Sequence, residues 1–239
     1  MTHIRPLVWD SEAFCFAVAR IENIDDPVAQ LPVVQAQLIA DAITLAYWEA
    51  PHGDEPSRLA ALRSGGEFIN SRVLLDIGLA GQAASEPRTI TDPDPAQRRV
   101  LDELALASGW SSRFALDPRF PRPVFEQLYR TWMANSLNGS FADAVIIAAE
   151  GDAIEGMVTV SAKAEQGQIG LFGVAAAARG KGVGKKLLRE ALGWFAREGC
   201  ARASVVTQGE NEVALAIYQS CGFAISAHSD VFHFWNQQS

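Results

Sequence analysis

Apolar residues recur at helical spacing in one long segment in the last third of the chain. Between residues 183 and 197 they lie three or four positions apart, which places them on one face of a helix. These positions are Val183, Leu187, Leu188, Ala191, Leu192 and Phe195. Most of the other positions are charged or small, and Gly199 follows the segment. The pattern predicts an amphipathic helix that packs one face against a core and ends at Gly199.

Short apolar runs separated by turn residues predict strands on either side of this helix. The runs cover residues 144–149, 156–162, 168–174 and 203–207, and a last strand lies within residues 223–235. Gly151 and Asp152 separate the first two runs and predict a hairpin turn. A short helix over residues 210–220, closed by Gly222, precedes the last strand. Strands that alternate with helices in this way are typical of an α/β or α+β fold.

The first half of the chain carries a second set of elements. We predict strands over residues 13–21 and 68–77, a helix over residues 33–48 between Pro32 and Pro51, and a short helix over residues 57–64 capped by Ser57. Two further helices are predicted over residues 94–108 and 123–137, where Pro123 suits the first turn of a helix.

The clearest break in composition lies between residues 78 and 95. This segment is rich in Gly, Ala, Ser, Asp and Pro, which is typical of a connector. We therefore predict a smaller N-terminal α/β portion over residues 1–84 and a C-terminal domain over residues 88–239. Both lengths are ordinary for compact domains.

Composition and charge exclude several classes of function. A formal net charge of -8 argues against nucleic-acid binding, which normally needs a basic face. No apolar run approaches the roughly 20 residues that cross a bilayer, and the N-terminus has no secretion signal, so we expect a cytoplasmic protein without membrane contact. Three cysteines without metal-ligand spacing indicate reduced thiols and no metal site.

The turn that opens the long helix carries the pattern of a diphosphate site. It holds Gly180, Gly182 and Gly184 beside Arg179, Lys181, Lys185 and Lys186. Glycine lets the backbone approach a ligand closely, and the first N–H groups of a helix point outward with a partial positive charge. The spacing matches neither the P-loop nor the dinucleotide fingerprint. By itself the turn predicts either a phosphate-binding site or a solvated, basic helix start without a ligand.

Three landmarks in chain order resemble the GNAT superfamily of N-acetyltransferases. The run Arg179-x-x-Gly182-x-Gly184 is similar to the pyrophosphate motif of that family. Residues 172–174 (Phe-Gly-Val) stand where the strand of the family lends main-chain groups to the pantetheine arm. Further on, Asn211 precedes a helix that carries Tyr218 and closes with a Gly-Phe pair at 222–223, as in the family.

The resemblance implies a GNAT fold, a twisted mixed sheet whose central strands splay apart. It also implies acetyl-CoA as co-substrate and direct transfer of the acetyl group to a primary amine, without an acyl-enzyme. The residues that it assigns to the cofactor are Phe172, Gly173, Val174, Arg179, Gly180, Lys181, Gly182, Val183, Gly184, Lys185 and Asn211.

Tyr218 occupies the position of the usual general acid of the family. A phenol held at hydrogen-bond distance can protonate a departing thiolate, so we predict that Tyr218 does so. The alternative is a tyrosine whose ring packs in the core. For the general base we name Glu67, Glu126 and Asp143 as conceivable carboxylates and assign none.

The resemblance extends to the dTDP-fucosamine acetyltransferase group, which acetylates a nucleotide-linked amino-deoxysugar. It rests on residues 6–14 and 18–21, on the run from Ser112 to Pro121, and on the Thr207-Gln208-x-x-Asn211 motif. We therefore predict that Ser112, Arg113 and Phe114 contact a small amine substrate of this class. Guanidinium matches phosphate oxygens in a bidentate manner, which suits Arg113 to a sugar nucleotide.

Two other functions are compatible with the sequence. An acetyltransferase of this superfamily with a peptide N-terminus, a polyamine or an antibiotic amine as acceptor is one alternative. A catalytically silent acyl-CoA-binding module is the other, and a homodimer is compatible with each.

The chain differs from the dTDP-fucosamine acetyltransferase group at two places. An alanine run over residues 175–178 replaces the usual proline after the cofactor strand. Residues 65–68 match poorly where the group can supply a carboxylate, which leaves the base and the sugar undetermined.

Overall fold

The computed structural model describes residues 3–236. The chain divides into two compact units. The N-terminal unit comprises the residues up to Arg72 together with those from His228 onward, and the C-terminal unit comprises Val73–Ala227. The N-terminal unit is therefore discontinuous in sequence, whereas the division predicted at residues 84–88 is a single cut. That division into two domains stays a prediction.

The described part of the chain contains eight α-helices, a short 3-10 helix at Ala176–Ala178 and nine strands. The helices are α1 Val8–Phe14, α2 Pro27–Ala40, α3 Glu55–Arg63, α4 Pro95–Ser108, α5 Arg113–Leu116, α6 Arg122–Leu137, α7 Val183–Arg197 and α8 Glu212–Ser220. The strands are β1 Ile4–Pro6, β2 Val18–Ile21, β3 Leu45–Pro51, β4 Gly66–Gly78, β5 Ala144–Glu150, β6 Ala153–Lys163, β7 Gln166–Val174, β8 Arg202–Gln208 and β9 Ala224–Trp235. None of the helices within residues 3–236 is long and apolar enough to cross a bilayer.

The N-terminal unit is a mixed sheet with helices on one face. Its strands lie in the order β1-β2-β3-β9-β4. The β2–β3 pair is parallel, and the β1–β2 and β3–β9 pairs are antiparallel. Helices α2 and α3 cover one face and bury residues such as Leu31, Leu38 and Ala61 against Trp48 and Phe232 of the sheet.

The C-terminal unit is a second mixed arrangement, with strand order β4-β8-β7-β6-β5. The β5–β6 and β6–β7 pairs are antiparallel, and the β7–β8 pair is parallel. Helix α7 buries its predicted apolar face, including Leu187, Leu188 and Phe195, in the core of this unit. The predicted bounds of α7 and the predicted hairpin between β5 and β6 are confirmed.

The central strands of the C-terminal unit separate toward their carboxyl ends. Strand β7 pairs with β8 only over Gln166–Ile169, although β7 continues to Val174 and β8 to Gln208. A β-bulge in the neighbouring strand β6 lies at Thr159, and the Thr159 Oγ1 accepts a hydrogen bond of 2.8 Å from the Leu171 N–H. Bulges increase local twist, and this one lies beside the end of the β7–β8 pairing. The predicted α/β fold with splayed central strands is confirmed.

Three predictions in the first 60 residues are wrong in part. The helix predicted over residues 33–48 is two elements, α2 and β3, and Pro32 lies inside α2 rather than ahead of it. Leu45, Ala46, Tyr47 and Trp48 of β3 are all buried, so this strand shows no alternation of apolar and polar residues, and periodicity does not distinguish such a run from a buried helix.

The start of one strand and the cap of one helix are also corrected. The strand predicted from residue 13 begins at Val18, because Ala13 and Phe14 belong to α1. The cap of α3 is Asp54, not Ser57; the Asp54 carboxylate accepts a hydrogen bond from the Ser57 N–H. An aspartate in this position satisfies a free N–H of the first helical turn.

The predicted connector over residues 78–95 belongs to the C-terminal unit and is hydrogen-bonded to other parts of it between residues 79 and 90. Backbone hydrogen bonds join Leu79 to Ala201, Ser85 to Gly193, and residues 88 and 90 to the edge strand β5. At Gly193 of α7 an added Cβ would overlap the side chain of Ser85. Residues 79–90 therefore form a strap across α7, and the glycine makes room for it.

We expect Gly193→Ala to destabilise the protein by about 1–3 kcal/mol, because the new methyl group would displace the strap. Glycine to alanine within an exposed helix normally has the opposite effect and stabilises by about 1 kcal/mol. Chemical denaturation measures the change, and Ser85→Gly in the same chain should restore most of the loss. Stabilisation by Gly193→Ala alone would show that the strap does not constrain this position.

Candidate active site

The turn before α7 has the backbone geometry that its glycines predict. Gly180 and Gly182 have φ of +76° and +82°, and Gly182 is the residue that caps α7. A Cβ added to either glycine would meet nothing within 4 Å. The positive φ, rather than crowding, therefore requires glycine at both positions. The turn presents its backbone to open space.

The third glycine of the motif, Gly184, has a different role. It is buried inside the first turn of α7, where a Cβ would lie 3.3 Å from Ile217 and 3.4 Å from Phe172. Its missing side chain lets the start of α7 pack between β7 and α8. Val183 is also buried, so its side chain belongs to the core, and the backbone N–H is the group that it can offer to a ligand.

Positive side chains surround the open turn. Arg179, Lys181, Lys185 and Lys186 are all exposed. The Arg179 Nε donates a hydrogen bond of 3.3 Å to the carbonyl of Val174, which holds this side chain against the end of β7. No side chain within the described residues caps the start of α7. Free N–H groups, the helix dipole and four cations together favour the two phosphates of a ligand.

Strand β7 continues from the splay to this turn. Phe172 and Val174 are partly buried, whereas Gly173 is fully buried. A Cβ at Gly173 would lie 2.7 Å from the Leu104 carbonyl oxygen of α4. Gly173 therefore has a packing role that the sequence did not indicate. Because β8 has already separated from β7, main-chain groups of this segment face the gap that a pantetheine arm would occupy.

Tyr218 lies beside this segment. Its ring is 5.8 Å from that of Phe172 and 5.8 Å from that of Phe223. The side chain is only 3% exposed, and burial raises the pKa of its phenol well above the ordinary value of 10.0. A buried phenol keeps its proton, since removal of water penalises the phenolate. Tyr218 is therefore a neutral hydrogen-bond donor at physiological pH.

Asn211 acts as a helix cap. It is the N-cap of α8, and its Oδ1 accepts a hydrogen bond of 3.2 Å from the Ala214 N–H. This contact fixes the start of the helix that carries Tyr218. A structural role thus accounts for the asparagine in the motif, and its contact with the cofactor stays a prediction.

The predicted substrate residues Ser112, Arg113 and Phe114 lie at the start of α5, and their described contacts are with aromatic residues of this region. Phe114 is 4% exposed and packs edge-on against Phe120 and Trp132, while Ser112 is 7% exposed. The Arg113 guanidinium lies 4.5 Å from the centre of the Phe114 ring. Arg113 is partly exposed, whereas Phe114 and Ser112 are buried. Substrate contact by all three stays a prediction.

The three carboxylates named as conceivable bases lie in ordinary surroundings. Glu126 pairs with Arg122 and Arg130 on α6 at 2.9 and 3.1 Å, and these arginines lower its pKa, Arg122 most. The Asp143 carboxylate accepts a hydrogen bond of 2.7 Å from the Ala162 N–H at one end of the β5–β6 hairpin. Glu67 is exposed on β4. These contacts leave the base unassigned.

Thr159 is a residue of this site that sequence reasoning missed. Its hydroxyl holds the Leu171 N–H at the bulge, and a Cβ at Gly170 would lie 2.6 Å from the same oxygen. Thr159 and Gly170 therefore fix the path of β7 at the point where β7 separates from β8. A threonine inside an apolar strand facing a glycine in the next strand is the only signal in the sequence, and it is too common to be specific.

Comparison with known proteins agrees with this geometry. Residues 109–223 match the model of the Acetyltransferase (GNAT) family. The dTDP-fucosamine acetyltransferase of Escherichia coli O6:H1 is 28% identical over 230 residues, which cover 92% of each chain. The spore coat polysaccharide biosynthesis protein SpsD of Bacillus subtilis is 24% identical over 60% of this chain. The match spans only 49% of SpsD, about half its length.

Solved structures share the fold. A GCN5-related N-acetyltransferase from Sphaerobacter thermophilus superposes with a TM-score of 0.62 at 16% identity and covers 93% of this chain and 74% of its own. The splayed strands, the glycine turn before α7 and the family match over residues 109–223 thus lead to one conclusion. The chain contains an acetyltransferase domain of the GNAT family.

Proposed function

We propose that the protein is an N-acetyltransferase that moves the acetyl group of acetyl-CoA to the amine of a nucleotide-linked amino-deoxysugar. The observation that carries the proposal is the turn at Gly180 and Gly182. Its backbone has open space at both glycines and four exposed cations around it. A diphosphate fits this combination of free N–H groups, helix dipole and positive charge.

The residues of the turn and of β7 are the ones that we expect to hold the cofactor. The N–H groups of Gly180 and of residues 182–185 would bind the pyrophosphate, with the side chains of Arg179, Lys181 and Lys185 around it. Main-chain groups of residues 172–174 would bind the pantetheine arm beyond the end of the β7–β8 pairing. Acetyl-CoA supplies an activated thioester when bound.

Tyr218 would donate a proton to the departing sulfur during the transfer. The neutral amine attacks the carbonyl carbon of the thioester, the C–S bond breaks, and the departing sulfur takes the phenolic proton of Tyr218. The proton that the amine nitrogen loses passes to water or to a carboxylate that we leave unassigned. Burial supports this role because it keeps the phenol protonated until the thiolate forms.

The acceptor class is supported by similarity rather than by geometry. The relative whose length this chain nearly matches is a dTDP-fucosamine acetyltransferase. Arg113 is the partly exposed member of the predicted substrate residues, and its guanidinium is the group among them that can reach an acceptor from solution. We place the reaction in the cytoplasm, and a homodimer is compatible with it.

An acceptor screen tests the proposal. Purified protein with acetyl-CoA and a thiol reagent should release CoA when a dTDP-linked amino-deoxysugar is present. Peptides, polyamines and aminoglycosides should give only the background rate. CoA release with a peptide amine and none with any sugar nucleotide would contradict the acceptor class but leave acetyl transfer in place. Acetyl-CoA binding without turnover on any amine would favour a silent binding module.

A further inference from the structure

The N-terminal unit carries charged side chains on the face of its sheet opposite to α2 and α3. Side chains alternate between the two faces of a strand. Ala19 and Ile21 of β2 pack in the core beneath the helices, so Arg20 between them lies on the other face. By the same alternation Glu49 of β3, between Trp48 and Ala50, also lies there.

Arg20, Glu49, Arg72 and Ser229 meet on this face, and we name them the Arg20–Arg72 cluster. The Nη1 atoms of Arg20 and Arg72 lie 4.0 and 3.7 Å from the two oxygens of the Glu49 carboxylate. The Ser229 hydroxyl donates a hydrogen bond of 3.0 Å to the same carboxylate. The four residues come from four different strands, β2, β3, β4 and β9.

The two guanidinium groups are only partly used by these contacts. Both distances to Glu49 exceed that of a hydrogen bond. The Arg20 Nε is buried and finds no hydrogen-bond partner among the described residues. One carboxylate serves two guanidinium groups, so the cluster has an excess of one positive charge. The side chains are 37% and 34% exposed, which leaves them open to a ligand from solution.

We propose that the Arg20–Arg72 cluster is an anion site that takes a phosphate group of the substrate. A guanidinium offers five N–H donors in a planar fork that fits phosphate oxygens. Glu49 lies between the two forks, and the Ser229 hydroxyl holds its carboxylate. The identification of the phosphate with the nucleotide of the acceptor rests on the proposed function, whereas the anion site itself does not. CoA also carries phosphates, so the experiment separates the two sources.

Titration calorimetry with the full chain tests the site. The protein is first saturated with CoA, which occupies the turn before α7, and is then titrated with dTDP or with inorganic pyrophosphate. We expect binding of both probes, weakened about 10-fold or more by Arg20→Ala and by Arg72→Ala. Glu49→Gln should instead tighten both by about 3-fold or more, since it removes the competing negative charge.

The control is Arg5→Ala, which removes an exposed arginine of β1 that pairs with Glu22 at 2.7 Å. It should leave dTDP affinity unchanged. CoA affinity should be unchanged in all variants, and a loss of CoA affinity in Arg20→Ala would assign the phosphate to CoA rather than to a nucleotide and overturn the acceptor assignment. If an alanine variant does not fold, Arg20→Lys and Glu49→Gln still give opposite expected shifts.

The anion site and the proposed function fail separately. Wild-type affinity in both arginine variants, weaker binding in Glu49→Gln, or no binding of either probe to the wild type would overturn the anion site even if amino-sugar acetylation is observed. Conversely, arginine-dependent dTDP binding without any turnover would keep the site and remove the proposed reaction. Where both hold, Arg20→Ala should raise KM for the sugar nucleotide and leave kcat nearly unchanged.

Discussion

Tyr218→Phe should lower kcat for acetyl transfer by about 100-fold or more and leave the affinity for acetyl-CoA nearly intact. The substitution removes one oxygen and its proton, while the ring keeps its packing against Phe172 and Phe223. Loss of a positioned general acid typically costs a factor of 10² to 10⁴ (about 3–5 kcal/mol) in rate. Steady-state kinetics with saturating acceptor gives kcat, and calorimetry gives the affinity for CoA.

Tyr129→Phe is the matched control. Tyr129 is also a buried tyrosine, and burial raises its pKa to about 12, more than nearby Ser112 and Arg113 lower it. Removal of its hydroxyl should change kcat at saturating acceptor by less than about 3-fold, because its neighbours Ser112 and Arg113 are predicted to bind the acceptor and would act on KM. Equal losses in the two variants would point to a general effect of removing a buried hydroxyl. An unchanged kcat in Tyr218→Phe would remove Tyr218 from the mechanism.

The raised pKa of Tyr218 also predicts how the rate of acetyl transfer depends on pH. Burial raises the pKa of Tyr218 above 10.0, so the phenol keeps the proton that it must donate throughout the range where amines lose theirs. The rate should therefore rise as the acceptor amine becomes neutral and show no fall from about pH 8 to about pH 10. A descending limb with a midpoint below 10 that disappears in Tyr218→Phe would contradict the raised pKa.

Gly182→Asp should weaken binding of acetyl-CoA by about 100-fold or more. Gly182 caps α7, and an added Cβ would meet no protein atom within 4 Å, so the carboxylate would project into the space assigned to the pyrophosphate. A negative charge at the start of α7 would repel the phosphates and satisfy the N–H groups that should bind them. Calorimetry with CoA measures the loss.

Gly182→Asn separates charge from backbone strain. Asparagine and aspartate have the same shape and accept a positive φ about equally well, so both pay the cost of φ +82°. Only aspartate adds a charge. We expect the asparagine variant to bind CoA at least about 10-fold more tightly than the aspartate variant. Equal affinities in the two variants and the wild type would show that the turn does not contact the pyrophosphate.

Many elements of the C-terminal unit were predicted correctly from local sequence signals. Helix α7 has the predicted bounds, and the hairpin turns at Gly151 as predicted. Gly180 and Gly182 were named from the sequence as positions where the backbone can approach a ligand, and both have a positive φ. These features depend on neighbouring residues: helical periodicity, a turn residue between two apolar runs, and a backbone conformation that only glycine adopts readily.

The N-terminal unit shows where local signals fail. Residues 45–48 of β3 are all buried, and β3 pairs edge to edge with β2 and with the last strand β9, which is far away in the chain. Such a strand lacks alternation, and the apolar run was merged with the preceding helix. Pro32 was taken as a boundary but lies within α2, where its own ring is exposed to water.

By itself, the sequence was enough to predict the GNAT fold, the turn at Gly180 and Gly182 that we expect to bind the cofactor, and Tyr218. These features depend on short motifs and local periodicity. The tertiary structure decided how each motif residue is used: Gly173 and Gly184 make room for α4 and α8, and Asn211 caps the helix of Tyr218. It also assembled Arg20, Glu49, Arg72 and Ser229, which no motif joins. Residues as far apart as Glu49 and Ser229, 180 positions, meet only when strands pair, and strand order is set by burial.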